Sequence, residues 1–544
     1  MSHKNSHAQT YAEKASFANV LCTTSSAAGV IVAGAGLVPI FDSDYSSVVF
    51  SSNVSDDITY SVSAGTFTFA RAGIYHIVLV AYTNQVTSNR LQTFAMKLNA
   101  TAFYVGQKYA NTGYTPVEST HQAVVSIAAD DVLHIQMRTA GHTATVIQGT
   151  SVIITEITSG HYATHQATAD GSNTTPVATG GDPEDLVFFN PFDSNLPDNG
   201  APYTTVSAGM EVTADEGSFT VKSAGRYLIM VNTFFVMANP GGGTSLITMN
   251  LNKGGTAFAT RAVTAIAADD PLENTFCLIE DLVAGDVLTM TMATDDQSTN
   301  DGVRANKGST FTIYKLPEEV YTNGDTAGFF GYPYISIQNI AVGEFTSPSD
   351  TNPVNPFDEG SYGDADLEER SGAGIIFTPD DGKFTVSEPG LYAVVFAPIF
   401  SIASGRTVVT KIKVNGTDQV ISTGKVSDGP DPQDKTTTAF LELNKNDYVE
   451  VTVQRSGGAA TFKCDSGTSI AIYRYFGFFK TEDTLADGLI NDDLTIDTFS
   501  QGNLSVQYDR SVDQVPFKFG IRGAGTLRGR GTEPSVVKIG DKKA

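Results

Sequence analysis

One strand–turn–strand phrase occurs three times in this chain: GTFTFARAGIYHIVL (65–79), GSFTVKSAGRYLIMV (217–231) and GKFTVSEPGLYAVVF (382–396). Aligned on Tyr75, Tyr227 and Tyr392, the copies stand 152 and 165 residues apart. That spacing is too long for a solenoid or a propeller blade and suits a whole domain. Four more elements accompany each hairpin in the same order. A Phe-Asp element precedes it: PIFDS (39–43), NPFDS (190–194) and NPFDE (355–359). A strand ending in an Asn-containing turn follows: AMKLNAT (95–101), ITMNLNKG (247–254) and KIKVNGT (411–417). Next comes a small or acidic turn into an alternating strand: AADDVLHIQM (128–137), VAGDVLTMTM (283–292) and LNKNDYVEVTV (443–453). A Gly-led strand closes each copy: GTSVIITEI (149–157), GSTFTIYKL (308–316) and GTSIAIYRY (467–475), whose glycines lie 159 and 159 apart. Five elements in one order, three times, mean three copies of one unit.

Within each copy, runs of four to eight alternating residues are separated by Gly, Asn, Asp and Ser, with no sustained 3.6-residue period. This pattern predicts an all-β sandwich of about eight to ten strands per copy. The 544-residue length fits three or four domains at about 150 residues each. The expected boundaries are 1–157 for the N-terminal segment and first sandwich, 158–316 for a linker and the second, 317–477 for an aromatic linker and the third, and 478–544 for a tail. The first linker, about 158–180, is rich in Thr, Gly and Asp and reads as flexible. The second, about 317–334, runs into GFFGYPYISI (328–337), which is too aromatic for a free linker and is expected to pack.

A net charge of −25 argues against a broad nucleic-acid-binding face, which would be basic. Cys22, Cys277 and Cys464 are far apart and fall at non-matching places in the repeats. They form neither a metal motif nor a disulfide framework and read as small buried hydrophobes. The polar start MSHKNSHAQTYAEKASFANV lacks the apolar core of a secretion signal, and no run of about 18 apolar residues occurs. The expectation is therefore assembly in a cytoplasm, without membrane insertion.

The order and spacing of G-x-F-T-x-x-x-x-G-x-Y, the K-x-N-G-like turn and the G-D-x-(V/L) strand resemble the C1q/tumour-necrosis-factor jelly roll. The resemblance covers roughly 20–157, 180–316 and 335–475, without the Trp residues or the collagen-like stem that family often carries. It implies ten-stranded jelly rolls that trimerise about an apolar axis. It also implies that Phe67, Phe219 and Phe384 pack in the cores, with Tyr75, Tyr227 and Tyr392 in the core or near the axis. Three copies then allow two arrangements: an intramolecular pseudo-trimer, or a homotrimer of chains with three stacked tiers. The stacked homotrimer is the favoured expectation, because closed oligomers are common.

Residues 478–513 hold eight acidic and two basic residues; residues 514–544 hold seven basic and two acidic. The basic, Gly-rich tail, with Lys518, Arg522, Arg528, Arg530 and Lys538, cannot form its own core and reads as a solvated or docking segment for other assembly proteins. All eight histidines precede residue 166, which excludes a histidine site shared by the repeats. No nucleophile elbow, zincin or Walker motif occurs. Acidic loops at 192–200, 294–301, 358–369 and 428–434 would suit Ca²⁺, with Asp295, Asp296 and Asp301 as first candidates, although solvated surface is the plainer reading. The functional expectation is a non-enzymatic structural protein of a virion surface: a fibre, spike or capsid decoration. Two alternatives are an exported cell-surface adhesin and a polysaccharide-acting enzyme, which would need a carboxylate pair about 5–10 Å apart in a groove.

Overall fold

Each copy folds around two main antiparallel sheets whose central strands follow one order in all three; the third copy adds a small four-stranded sheet of Gly343–Phe345, Phe462–Cys464, Ile399–Ile402 and Gln433–Asp434. The computed structural model describes most of residues 16–167, 203–316 and 333–476, apart from several connecting loops. It also describes the paired strands Glu318–Asn323 with Thr326–Gly331, and Arg528–Gly529 with Val537–Ile539.

The inner sheet of each unit runs first strand, last strand, tyrosine strand, seam strand. These are Phe17–Cys22, Ser151–Glu156, Gly73–Gln85 and Val117–Ile127 in the first unit. In the second they are Tyr162–Gln166, Thr310–Lys315, Gly225–Met237 and Leu272–Leu282. In the third they are Tyr334–Asn339, Ser469–Phe476, Gly390–Ala397 and Thr437–Leu443. The outer sheet has the same five strands in one order each time, joined in the first unit by Val38–Pro39; in the third unit the five are Ile375–Thr378, Lys383–Val386, Tyr448–Arg455, Thr407–Val414 and Thr417–Lys425. The outer hairpin carries a bulge at the same place in every copy, at Met96/Lys97, Leu251/Asn252 and Ile412/Lys413. A bulge repeated three times is a property of the unit and not a local accident.

Each unit buries its own core between its two sheets. Phe67, Phe219 and Phe384 are fully buried in the first, second and third cores, as are Tyr75, Tyr227 and Tyr392. The tyrosine hydroxyls donate to the carbonyl oxygen four residues back: Tyr75 to Arg71 (3.2 Å), Tyr227 to Ser223 (2.8 Å) and Tyr392 to Glu388 (2.8 Å). The conserved placement of Tyr after the Gly turn thus pins the turn as well as filling the core. At the outer hairpin, Asn99 and Asn415 take positive φ (55° and 50°), and each donates to the Asp of the next strand's turn, Asp131 (2.8 Å) or Asp447 (2.7 Å). In the second unit Gly254 (φ 58°) occupies this turn position.

One expected linker is partly a strand. Tyr162–Gln166 lies within the segment expected to be flexible, yet it pairs on both sides and sends Ala163 into the second core. Composition misled here, because Ala, Thr, His and Gln form an inner strand once both edges are hydrogen-bonded. The remainder of the expected linker, 168–180, lies outside the described residues. The second linker does contain packed aromatic sequence: Tyr334, Ile335 and Ile337 are buried in the first strand of the third unit.

Candidate functional site

The inner and outer sheets differ in how they bury side chains. The outer strand Thr407–Val414 alternates between partly exposed and buried residues for most of its length, whereas every residue of Gly390–Ala397 is buried. Val117–Ile127 is buried at all but one position. A two-sheet sandwich standing alone would leave the back of its inner sheet polar and wet. Here that back face is apolar, and it is covered by the other two units.

The cover is a fourth hydrophobic cluster that draws on all three copies. It includes Phe17, Val78, Val80 and Tyr82 from the first, Leu228, Met230, Ile279 and Tyr314 from the second, and Leu391, Val395, Phe440, Tyr473 and Tyr475 from the third. Along each tyrosine strand, odd and even residues serve different cores: Tyr75, Ile77 and Leu79 fill the unit's own core, while Val78, Val80 and Tyr82 fill the shared one. The chain therefore gathers its own three copies around one core. This is the intramolecular arrangement and not the stacked tiers favoured from sequence; apolar back faces on successive units of one chain can cover one another without a second chain.

Three seams close the ring, each bringing one unit's seam strand against the next unit's first and last strands. Between the first and second units, the Gln122 side-chain amide donates to the Met230 carbonyl (2.9 Å), and Tyr104 donates to that of Gly308 (3.1 Å). The buried Glu273 carboxylate accepts from Lys108 Nζ (3.1 Å), Asn232 Nδ2 (3.1 Å) and the Thr120 backbone N–H. Between the second and third, Arg261, fully buried, donates to the Ala397 carbonyl (3.2 Å). In the same seam the Arg226 guanidinium stacks 4.0 Å over the Tyr334 ring, and the Tyr314 and Tyr473 hydroxyls meet at 3.3 Å. Between the third and first, Tyr82 donates to the Thr436 carbonyl (2.5 Å), Thr436 N–H to Glu118 (3.1 Å), and the Ser151 and Thr438 hydroxyls pair at 3.2 Å.

The glycines that open each last strand have the same job three times. Gly149, Gly308 and Gly467 sit at φ 96°, 97° and 95°. A Cβ on Gly149 would lie 3.0 Å from the Ile421 carbonyl oxygen of the third unit. On Gly308 it would lie 2.6 Å from Gly106 Cα of the first, and on Gly467 2.9 Å from the Thr260 carbonyl oxygen of the second. Only Gly permits both this dihedral and this approach. Sequence reasoning missed this role although the equal spacing of the three glycines marked them.

Burial sets the electrostatics of the shared core. It pushes the Tyr314 hydroxyl and the Cys277 thiol up to about 12 and raises Tyr473 and Tyr475 well above the usual tyrosine range. It pushes the His76 imidazole down to about 4. Ser119, His121 and Tyr104 form a hydrogen-bonded chain (2.8 Å and 2.8 Å) that superficially resembles a nucleophile with its base. His121 is fully enclosed, however, stacking on Phe234 of the second unit at 5.1 Å, so no substrate reaches it. The chain satisfies polar groups inside a seam.

The remaining candidates fall elsewhere. Asp295, Asp296 and Asp301, the Ca²⁺ candidates, lie outside the described residues, as do Lys518, Arg522 and Arg530 of the tail; Arg528 and Lys538 belong to the short paired strands near the C-terminus. Among the described residues no group of three or more His, Cys, Asp or Glu is placed to hold a metal ion, and no helix is long and apolar enough to cross a membrane. The three cysteines are buried.

No protein-family model matches this chain, and no curated protein matches it in sequence. A solved structure of Eiger TNF from S. frugiperda aligns at 16% identity over 29% of this chain and 94% of its own, with a TM-score of 0.19. At that score the likeness carries no weight, and the description of the fold rests on the strands themselves.

Proposed function

We propose that this chain is a non-enzymatic structural protein, a surface component of a virus or phage particle such as a spike, fibre segment or capsid decoration. In this reading it is a single pseudo-threefold block of C1q/TNF-like jelly rolls. The observation that carries the reading is the shared core: one chain spends the back faces of all three inner sheets on a rigid body. Its buried polar groups, Glu118, Glu273, Arg261 and the hydroxyls of Tyr82 and Tyr104, are engaged in joining units. Rigidity with three radial sectors suits a geometric building piece whose loops recognise a partner. The basic segment 514–544 would attach the block to an acidic neighbour in the assembly.

The test is fractionation. Antibody against the purified chain should detect it in particles banded on a density gradient and stripped of loosely bound protein. Recovery only from the particle-free medium would favour an exported adhesin and overturn the proposal.

A further inference from the structure

The three seams are alike in backbone and unlike in titratable content. His76 follows Tyr75 by one residue; Leu228 and Ala393 hold that place in the other units. His121 pairs in register with Leu79; Phe276 and Thr437 hold the matching places opposite Val231 and Phe396. Both histidines are buried, and both face the second unit. The His76 ring meets Tyr314 edge-on at 5.4 Å, and His121 stacks on Phe234. We propose that the seam between the first and second units is an acid-sensitive joint, opened by protonation of His76 and His121 while the other two seams stay closed. The inference does not depend on the function proposed above.

The hydrogen bonds fix what a second proton would meet. The Gln122 side-chain nitrogen donates to the Met230 carbonyl, which leaves its oxygen for His76 at 3.0 Å, so Nε2 of His76 is the donor. The incoming proton must go on Nδ1 and place a charge beside the buried Tyr314 ring, inside the shared core. Around His121 stand Tyr104, hydrogen-bonded to its ring, and Lys108, whose charge reaches it; Glu273 lies across the seam, and Glu118 lies with Thr120 on the opposite face of the strand. Lys108 already binds Glu273, and Glu118 receives the Thr436 N–H, with Lys435 4.0 Å away. Burial first, and then the positive charge of Lys108, hold His121 well below the ordinary histidine range. For both groups the closed seam binds fewer protons than the open one. Closure is therefore at full strength above pH 6.5 and is lost as pH falls from there towards the folded-state value, about 4 for His76. From that value, His76 alone raises the opening constant about 20-fold between pH 7 and pH 5, and His121 adds to it.

Hydrogen exchange of the full-length chain at pH 7 and pH 5, with intrinsic rates corrected for pH, tests this. Peptides from Val117–Ile127 and Thr310–Lys315 should exchange about 20-fold faster or more at pH 5 relative to pH 7, while Thr437–Leu443 and Ser469–Phe476 should change little. The double variant His76→Leu/His121→Phe, which copies residues the second unit already uses, should remove the difference. Equal acid responses at all three seams would overturn the proposal without any variant. So would a double variant that keeps the wild-type response, since the acid response would then not come from the two histidines. If the double variant does not fold, His121→Phe alone should reduce the response, and an unchanged response would count against the proposal.

Discussion

Gly308→Ala separates conformational strain from crowding at a seam, because the chain supplies its own control. Gly308 has φ 97° and Gly285 has φ 98°, so an alanine at either place meets the same backbone penalty, about 1–2 kcal/mol. Their surroundings differ. A Cβ on Gly285 meets nothing within 4 Å, whereas on Gly308 it meets Gly106 Cα at 2.6 Å, the Tyr104 hydroxyl at 3.1 Å and the Val105 carbonyl at 3.3 Å. The closest of these is backbone of the first unit and cannot rotate away, so the two units must part by several tenths of an ångström. Overpacking of this kind costs about 1–3 kcal/mol beyond the strain. The expected totals are about 1–2 kcal/mol for Gly285→Ala and about 2–5 kcal/mol for Gly308→Ala, read as shifts in the urea midpoint at unchanged slope. Gly308→Ala should also lose the Tyr104 bond to the Gly308 carbonyl. Equal costs for the two substitutions would refute the reasoning, since they would mean that nothing stands against Gly308 in the folded chain.

Tyr227→Phe should cost about 0.5–1.5 kcal/mol by removing the donation to Ser223, with the ring retained in the second core; urea unfolding reads it. Asn415→Ala should cost about 1–3 kcal/mol, since it puts a Cβ-bearing residue with no side-chain donor at φ 50° and takes from Asp447 the amide that binds it; the matched change Asn415→Gly should recover part of the loss. Cys22, Cys277 and Cys464 should all resist a thiol reagent at pH 8 in the native protein and all react once it is denatured, because all three are buried out of reach and burial also keeps the Cys277 thiol protonated; reaction of Cys277 in the native state would mean that the shared core is open.

The repeat, the strand class and the core positions of Phe67, Tyr75 and their counterparts were legible because they are local. Period-two alternation, Gly and Asn punctuation and a repeated order each leave a mark within a few residues. The arrangement of the copies was legible only in part. Its signal was present in GIYHIVLVAY, GRYLIMVNTFF and GLYAVVFA, which are apolar on both faces where a lone sandwich would alternate. That pattern states that the back of the inner sheet is covered, and says nothing of whether the cover belongs to the same chain. Gly149, Gly308 and Gly467 could be read as turn glycines from sequence, but their approach to a neighbouring unit is a long-range contact that no local pattern encodes. Tyr162–Gln166 was illegible for the opposite reason: YATHQ sends only Ala163 into the second core, and it is held in place by hydrogen bonds to Thr310–Lys315 and Tyr203–Val206 that no local pattern encodes.

The central claim is that one chain closes on itself. The Ser151 and Thr438 hydroxyls, in the first and third units, stand 3.2 Å apart across a seam, close enough for a disulfide between the same positions. The measurement is non-reducing electrophoresis and peptide mapping of Ser151→Cys/Thr438→Cys after mild oxidation at low protein concentration. A 151–438 cross-link in a species with the mass of one chain, 57.6 kDa, is the expected result. Cross-links that join separate chains, or none at all in a folded protein, would contradict it.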